Sequence, residues 1–194
     1  MKKATARTTI VIVLLVVAVV GYYAYLANKS HASKAEASMT FVETTLSRDL
    51  VKDYPPTPKE VIKYYNEILR CLYNEESTAE EIGALVVKMR ELYDDDLLAA
   101  NELGTQQMLL QAEIDDWKKN GRRYISFNPA SSTDVETYEY NGYSCAKISC
   151  VYAITQEGRN YQLMQVYVLR KDENKHWRIL GWRDETQTAS QTAE

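Results

Sequence analysis

Few side chains in this sequence are spaced for chemistry. It holds three cysteines (Cys71, Cys145 and Cys150) and two histidines (His31 and His176), with no C-x-x-C pair and no His/Cys cluster. A zinc ion needs about four such ligands, so no metal site is assigned. Asp94-Asp95-Asp96 places three carboxylates in a row, but a calcium loop takes its ligands at alternating positions around a tight turn, and no such loop surrounds them. A helix cap ahead of residues 97–101 is the better reading. General acid–base catalysis needs two titratable groups in one pocket. His176 stands beside the polar turn 171–175, which predicts a solvated side chain. No catalytic residue and no cofactor is therefore assigned.

The cysteines read as packing residues. Cys145 and Cys150 share one predicted strand, five residues apart, so they face opposite sides and stand roughly 17 Å from each other. That is beyond disulfide reach. Cys150 shares an apolar face with Ala146, Ile148 and Tyr152, as a buried small hydrophobe would. A Cys71–Cys150 bridge is left open for an oxidising compartment.

The elements that position these residues begin with residues 8–27, TTIVIVLLVVAVVGYYAYLA, twenty residues without a charge. At ~1.5 Å per residue a helix of that length spans about 30 Å, which predicts a transmembrane helix. Lys2, Lys3 and Arg7 precede it and no acid occurs before Glu36, so the positive-inside bias makes residues 1–7 a cytoplasmic N-terminus. The expected product is a single-pass protein of the cell membrane with an extracytoplasmic C-terminal domain. A cleaved signal peptide is the rival, given Ser30-His31-Ala32 and Ala35-Glu36-Ala37, although signal apolar cores are usually about 7–15 residues.

Residues 28–53 read as a juxtamembrane linker and lead-in, 54–184 as an α+β domain and 185–194 as a disordered tail. Whole-chain charge is −4, but residues 1–34 carry five Lys/Arg and no acid, leaving 18 basic against 27 acidic residues in the rest. Within it, residues 75–116 hold twelve acids and two bases, and residues 117–183 hold eleven bases and six acids. The domain thus pairs acidic helices with a mildly basic sheet, and its overall negative sign and expected extracytoplasmic placement disfavour a nucleic-acid partner.

Three helices are expected. Thr57-Pro58-Lys59-Glu60 opens the first with a capping box and Pro at the first helical position. Val61, Tyr65, Ile68 and Leu72 give it an apolar face. Ser77 or Thr78 caps the second, over Ile82, Leu85, Met89 and Leu92. Thr105 starts the third, with Leu110, Ile114 and Trp117 inward and Gly121 as its stop. After Gly121 the period shortens to two. Asn141-Gly142 and Glu157-Gly158 are hairpin turns, and the strands around them form an antiparallel meander.

The T-P-x-E-V-I-x-Y-Y-N helix at residues 57–66, the Asn141-Gly142 hairpin and the closing W-R-I-L-G-W strand at 177–182 together resemble the nuclear transport factor 2-like (SnoaL-like) cone fold. More narrowly, the chain resembles an uncharacterised Gram-positive bacterial family with one membrane span and an extracytoplasmic domain of this kind. The resemblance implies three helices packed on a curled antiparallel sheet, over residues 57–184. Enzymes of that fold, such as ketosteroid isomerase and scytalone dehydratase, use an Asp, His or Tyr dyad inside the cone, which is not found here.

Three functions follow as expectations. The first is a non-catalytic membrane-anchored domain, held by residues 8–27, that mediates protein contacts, homodimerisation through the sheet face or envelope assembly. The fifteen tyrosines suit interface use, and Tyr138 or Tyr140 should then face solvent. The alternative is a small-ligand sensor whose cone cavity is lined by Tyr65, Trp117, Ile148, Cys150 and Val166. An isomerase- or dehydratase-like enzyme is the third; it requires a carboxylate or tyrosine pair at the cone mouth.

Overall fold

The computed structural model describes residues 21–23, 25 and 39–185. The chain divides into two units, Met1–Thr40 and Phe41–Glu194. In the first, residues 21–23 and 25 are helical. The transmembrane helix expected over 8–27, and the single-pass membrane protein built on it, are corrected: among the described residues no helix is long and apolar enough to cross a membrane. That expectation rested on hydropathy alone, and a charge-free run reports aversion to water without saying what covers it. Apart from 21–23 and 25, the expected span lies outside the described residues, as do the expected segment 1–7, residues 28–38 of the expected linker and tail residues 186–194.

The second unit is α+β. It runs α1 (Phe41–Ser47), α2 (Pro58–Asn74), α3 (Ala79–Arg90), α4 (Asp95–Ala100), α5 (Leu103–Lys119), then β1 (Arg123–Pro129), β2 (Glu136–Tyr140), β3 (Tyr143–Gln156), β4 (Arg159–Lys171) and β5 (Trp177–Glu185). Helix α2 is central. Thr57 caps it by accepting the Glu60 N–H at 3.2 Å, Pro58 sits in its first turn, and eleven of its seventeen residues are buried. A helix so enclosed must be covered on several sides, and α2 packs against α1, α3, α5 and the sheet. Thr78 and Glu81 form the full capping box of α3.

The sheet is antiparallel, in the order β1-β3-β4-β5. Strand β3 is long enough that two strands divide one of its edges. Strand β1 pairs with it from Cys150 to Thr155, and β2 from Tyr143 to Lys147. Both two-residue hairpins put their turn residues in the left-handed region: Asn141 and Gly142 at φ 50 and 81°, Glu157 and Gly158 at φ 51 and 77°. That geometry matches the twist of the strands it joins. Register shifts between Tyr124 and Ser126 and between Val168 and Leu169 bend the strands further. Ala146, Ile148, Cys150, Tyr152 and Ile154 of β3, with Tyr167, Leu169 and Ile179, form the inner face of the core.

Candidate functional site

A half-open cavity of about 530 Å³ lies between the helices and the inner end of the sheet. Tyr65, Leu69 and Tyr73 line it from α2, and their spacing of four places them on one side of that helix. Thr105, Gln106, Leu109, Leu110 and Glu113 of α5 form the facing wall. Met89 and Tyr93 close one end, while Tyr124, Gln165 and Trp182 reach in from β1, β4 and β5.

Aromatic rings dominate the lining. The Trp182 ring lies 5.9 Å from that of Tyr65 and 6.2 Å from that of Tyr93. Tyr73 and Tyr124 stand edge-on at 5.7 Å. Burial holds the hydroxyls of Tyr65, Tyr73, Tyr93 and Tyr124 in the neutral form by pushing their pKa values up. At Tyr73 and Tyr124 the nearby negative charge of Glu113 adds to that effect.

Two carboxylates are the charged side chains of the lining, Glu102 and Glu113. Glu102 caps α5, accepting the N–H groups of Gly104 at 2.9 Å and Thr105 at 2.7 Å, which hold its carboxyl below the usual range. Glu113 is exposed at the rim. Behind the wall, Arg90 donates to the Asn101 carbonyl and to Gln106 Oε1, each at 2.6 Å. Gln106 therefore turns its Nε2 toward the Tyr93 hydroxyl, at 3.5 Å.

A second polar chain runs beneath the cavity. Tyr152 and Tyr167 hydroxyls meet at 2.5 Å in the core. Tyr167 donates to Gln165 Oε1 at 2.7 Å, and Gln165 Nε2 donates to Asp184 at 2.9 Å. Each phenol has one proton, so Tyr152 must be the donor to Tyr167. The chain is directional, from the core out to a surface carboxylate.

Of the residues expected to line a cavity, Tyr65 does so. Trp117 sits behind the wall, tilted against Tyr73 at 4.5 Å and Tyr124 at 4.8 Å. Ile148 and Cys150 are core, and Cys150 Sγ meets Asn66 Nδ2 at 3.6 Å. Val166 alternates with Tyr167, whose ring meets Tyr65 at 5.8 Å, so Val166 projects from the opposite face of the sheet. Tyr73, Tyr93, Gln106, Glu113, Tyr124, Gln165 and Trp182 were not anticipated. Only the Tyr65-Leu69-Tyr73 spacing offered a sequence signal for any of them.

The remaining chemistry-bearing residues are tied into structure. Asp94 caps α4, and Arg170 contacts both of its carboxylate oxygens and Asp96 at 2.8 Å. The three cysteines are free thiols in buried positions, and burial pushes the Cys150 thiol up to about 11. His176 is half-buried rather than solvated: its ring stacks on Tyr54 at 4.2 Å, and its buried Nδ1 has no hydrogen-bond partner. No group of three or more His, Cys, Asp or Glu side chains suited to a metal occurs among the described residues.

Fold and site together define a compact class: an α+β domain whose helices close an aromatic, carboxylate-rimmed cavity over an antiparallel sheet. The chain belongs to the family described as Domain of unknown function (DUF6715), which it matches over residues 1–182. No curated protein matches it.

Proposed function

We propose that this is a non-catalytic small-ligand-binding domain, with the ligand held in the cavity between α2 and α5. The cavity itself carries the reading. Its volume of about 530 Å³ falls within the roughly 300–1,000 Å³ of small-molecule sites, and it combines apolar rings with a few convergent polar groups, as such sites do. Helices gathered on one side of a curled sheet also favour the resemblance to the nuclear transport factor 2-like cone. Native mass spectrometry of the full chain purified from its host tests the function. A retained small-molecule mass is expected, and it should vanish in Thr105→Trp and Leu109→Trp, which block an exposed rim without touching the core. Retention unchanged by both substitutions would place the ligand elsewhere.

A second reading has its own support. Tyr140 is 65% exposed and Tyr143 51%, and the two face each other across the Asn141-Gly142 turn, with Tyr138 also exposed one alternation back. Strand β2 pairs only with β3 among the described residues, so its outer edge is available to a second copy of the chain. Sedimentation that does not change with concentration, or with Tyr140→Lys, would remove this reading.

A further inference from the structure

We infer that the cavity selects organic cations, an ammonium or quaternary ammonium group carried on a small amphipathic body. The inference rests on the ligand-binding reading above and narrows it to a chemical class. Five aromatic rings, Tyr65, Tyr73, Tyr93, Tyr124 and Trp182, come from α2, the α3–α4 connection, β1 and β5 to line one space. Ring faces carry negative quadrupole potential and attract a cation held within about 6 Å.

The charge pattern points the same way. No Lys, Arg or His side chain lines the cavity, and two carboxylates do. Glu102 is spent on the N–H groups of Gly104 and Thr105. Glu113 makes no ion pair among the described residues, so its charge, which acts on the Tyr73 hydroxyl, has no cation to neutralise it at the rim. Arg90, behind the wall, is occupied by Asn101 and Gln106. An anion entering this space would meet carboxylates without a compensating cation, whereas a cation would find rings within and a carboxylate at the mouth. A neutral apolar molecule would gain from the rings but nothing from Glu113.

Gln106 sets a further requirement. Its carbonyl oxygen is taken by Arg90 and one of its two N–H groups points at the Tyr93 hydroxyl, so a single N–H is left to meet a ligand. A hydroxyl, ether or carbonyl oxygen a few bonds from the cationic centre is the matching acceptor.

Choline and its uncharged carbon isostere 3,3-dimethyl-1-butanol separate the possibilities. Both are titrated into 15N-labelled full-length protein, following the Trp182 indole N–H, assigned with Trp182→Phe. Choline is expected to shift that resonance saturably, with an affinity about tenfold tighter than the alcohol. Glu113→Gln should weaken choline about threefold to tenfold and leave the alcohol unchanged. Equal affinities for the two probes would overturn cation selection while leaving a ligand pocket standing. No shift from either probe would also overturn it, and the rim-blocking variants then decide the pocket separately.

Discussion

Arg170 on β4 grips both carboxylate oxygens of Asp94, 76 residues earlier in the chain. The Asp94 side chain is almost fully buried, and it also caps α4 by accepting the Asp96 N–H at 3.0 Å. One ion pair thus joins the α3–α4 connection to the sheet, next to the bridge in which the Asp94 N–H donates to the Ile179 carbonyl at 2.9 Å.

Removing the cation should cost more than removing the pair. Arg170→Ala leaves a buried carboxylate without its partner and is expected to destabilise the domain by about 3–5 kcal/mol. Arg170→Met combined with Asp94→Asn should recover a substantial part of that loss. Urea denaturation of Arg170→Met, Asp94→Asn and the double variant measures the coupling. Strict additivity would show that the contact contributes nothing.

Asp172 makes acid stability testable. Burial pushes its carboxyl up, but Arg178 Nε and the His176 N–H, each at 2.8 Å, outweigh that and leave it below its ordinary value. The folded state is then harder to protonate than the unfolded one, so this contribution is complete above the unfolded value of about 3.9. It is lost as pH falls through the lower folded value. Unfolding free energy should therefore drop more steeply below about pH 4 in the parent protein than in Asp172→Asn. Identical slopes would mean that the group is unperturbed.

The direction of the phenol chain predicts an asymmetry. Tyr152→Phe removes a donor, but Tyr167 still donates to Gln165, so a loss of about 1 kcal/mol is expected. Tyr167→Phe strands both the Tyr152 hydroxyl and Gln165 Oε1 and should cost about 2–3 kcal/mol. Thermal or urea unfolding ranks the two, and the reverse order would refute the assigned direction.

Gly142 sits at φ 81° with nothing within 4 Å of an added Cβ. Gly142→Ala therefore reports backbone strain free of any clash, at about 1–2 kcal/mol. Asn141→Gly in the same turn should be close to neutral. Chemical denaturation of both variants checks this, and a neutral Gly142→Ala would mean that the turn relaxes to another type.

Local signals were the readable part of this chain. Thr57, Thr78 and Asp94 each announce a helix start by contacts within three residues, and the Asn141-Gly142 and Glu157-Gly158 turns set the strand ends. The cavity was far less visible, because its walls converge from elements up to 117 residues apart, Tyr65 to Trp182, and only tertiary packing unites them. Val166 shows the sharpest failure. It lies one residue from the inward-facing Tyr167, and on a strand one residue exchanges the two faces. Hydropathy over residues 8–27 measures composition and not an element's surroundings, and among the described residues no helix is long and apolar enough to cross a membrane.

The division of one β3 edge between β1 and β2 also makes the domain modular for engineering. The β1 half of that edge borders Tyr124 and the cavity, while the β2 half ends at the exposed Asn141-Gly142 tip. A reporter spliced into that tip would be carried by strand pairs that do not build the cavity wall, so the cavity half can be instrumented without being rebuilt.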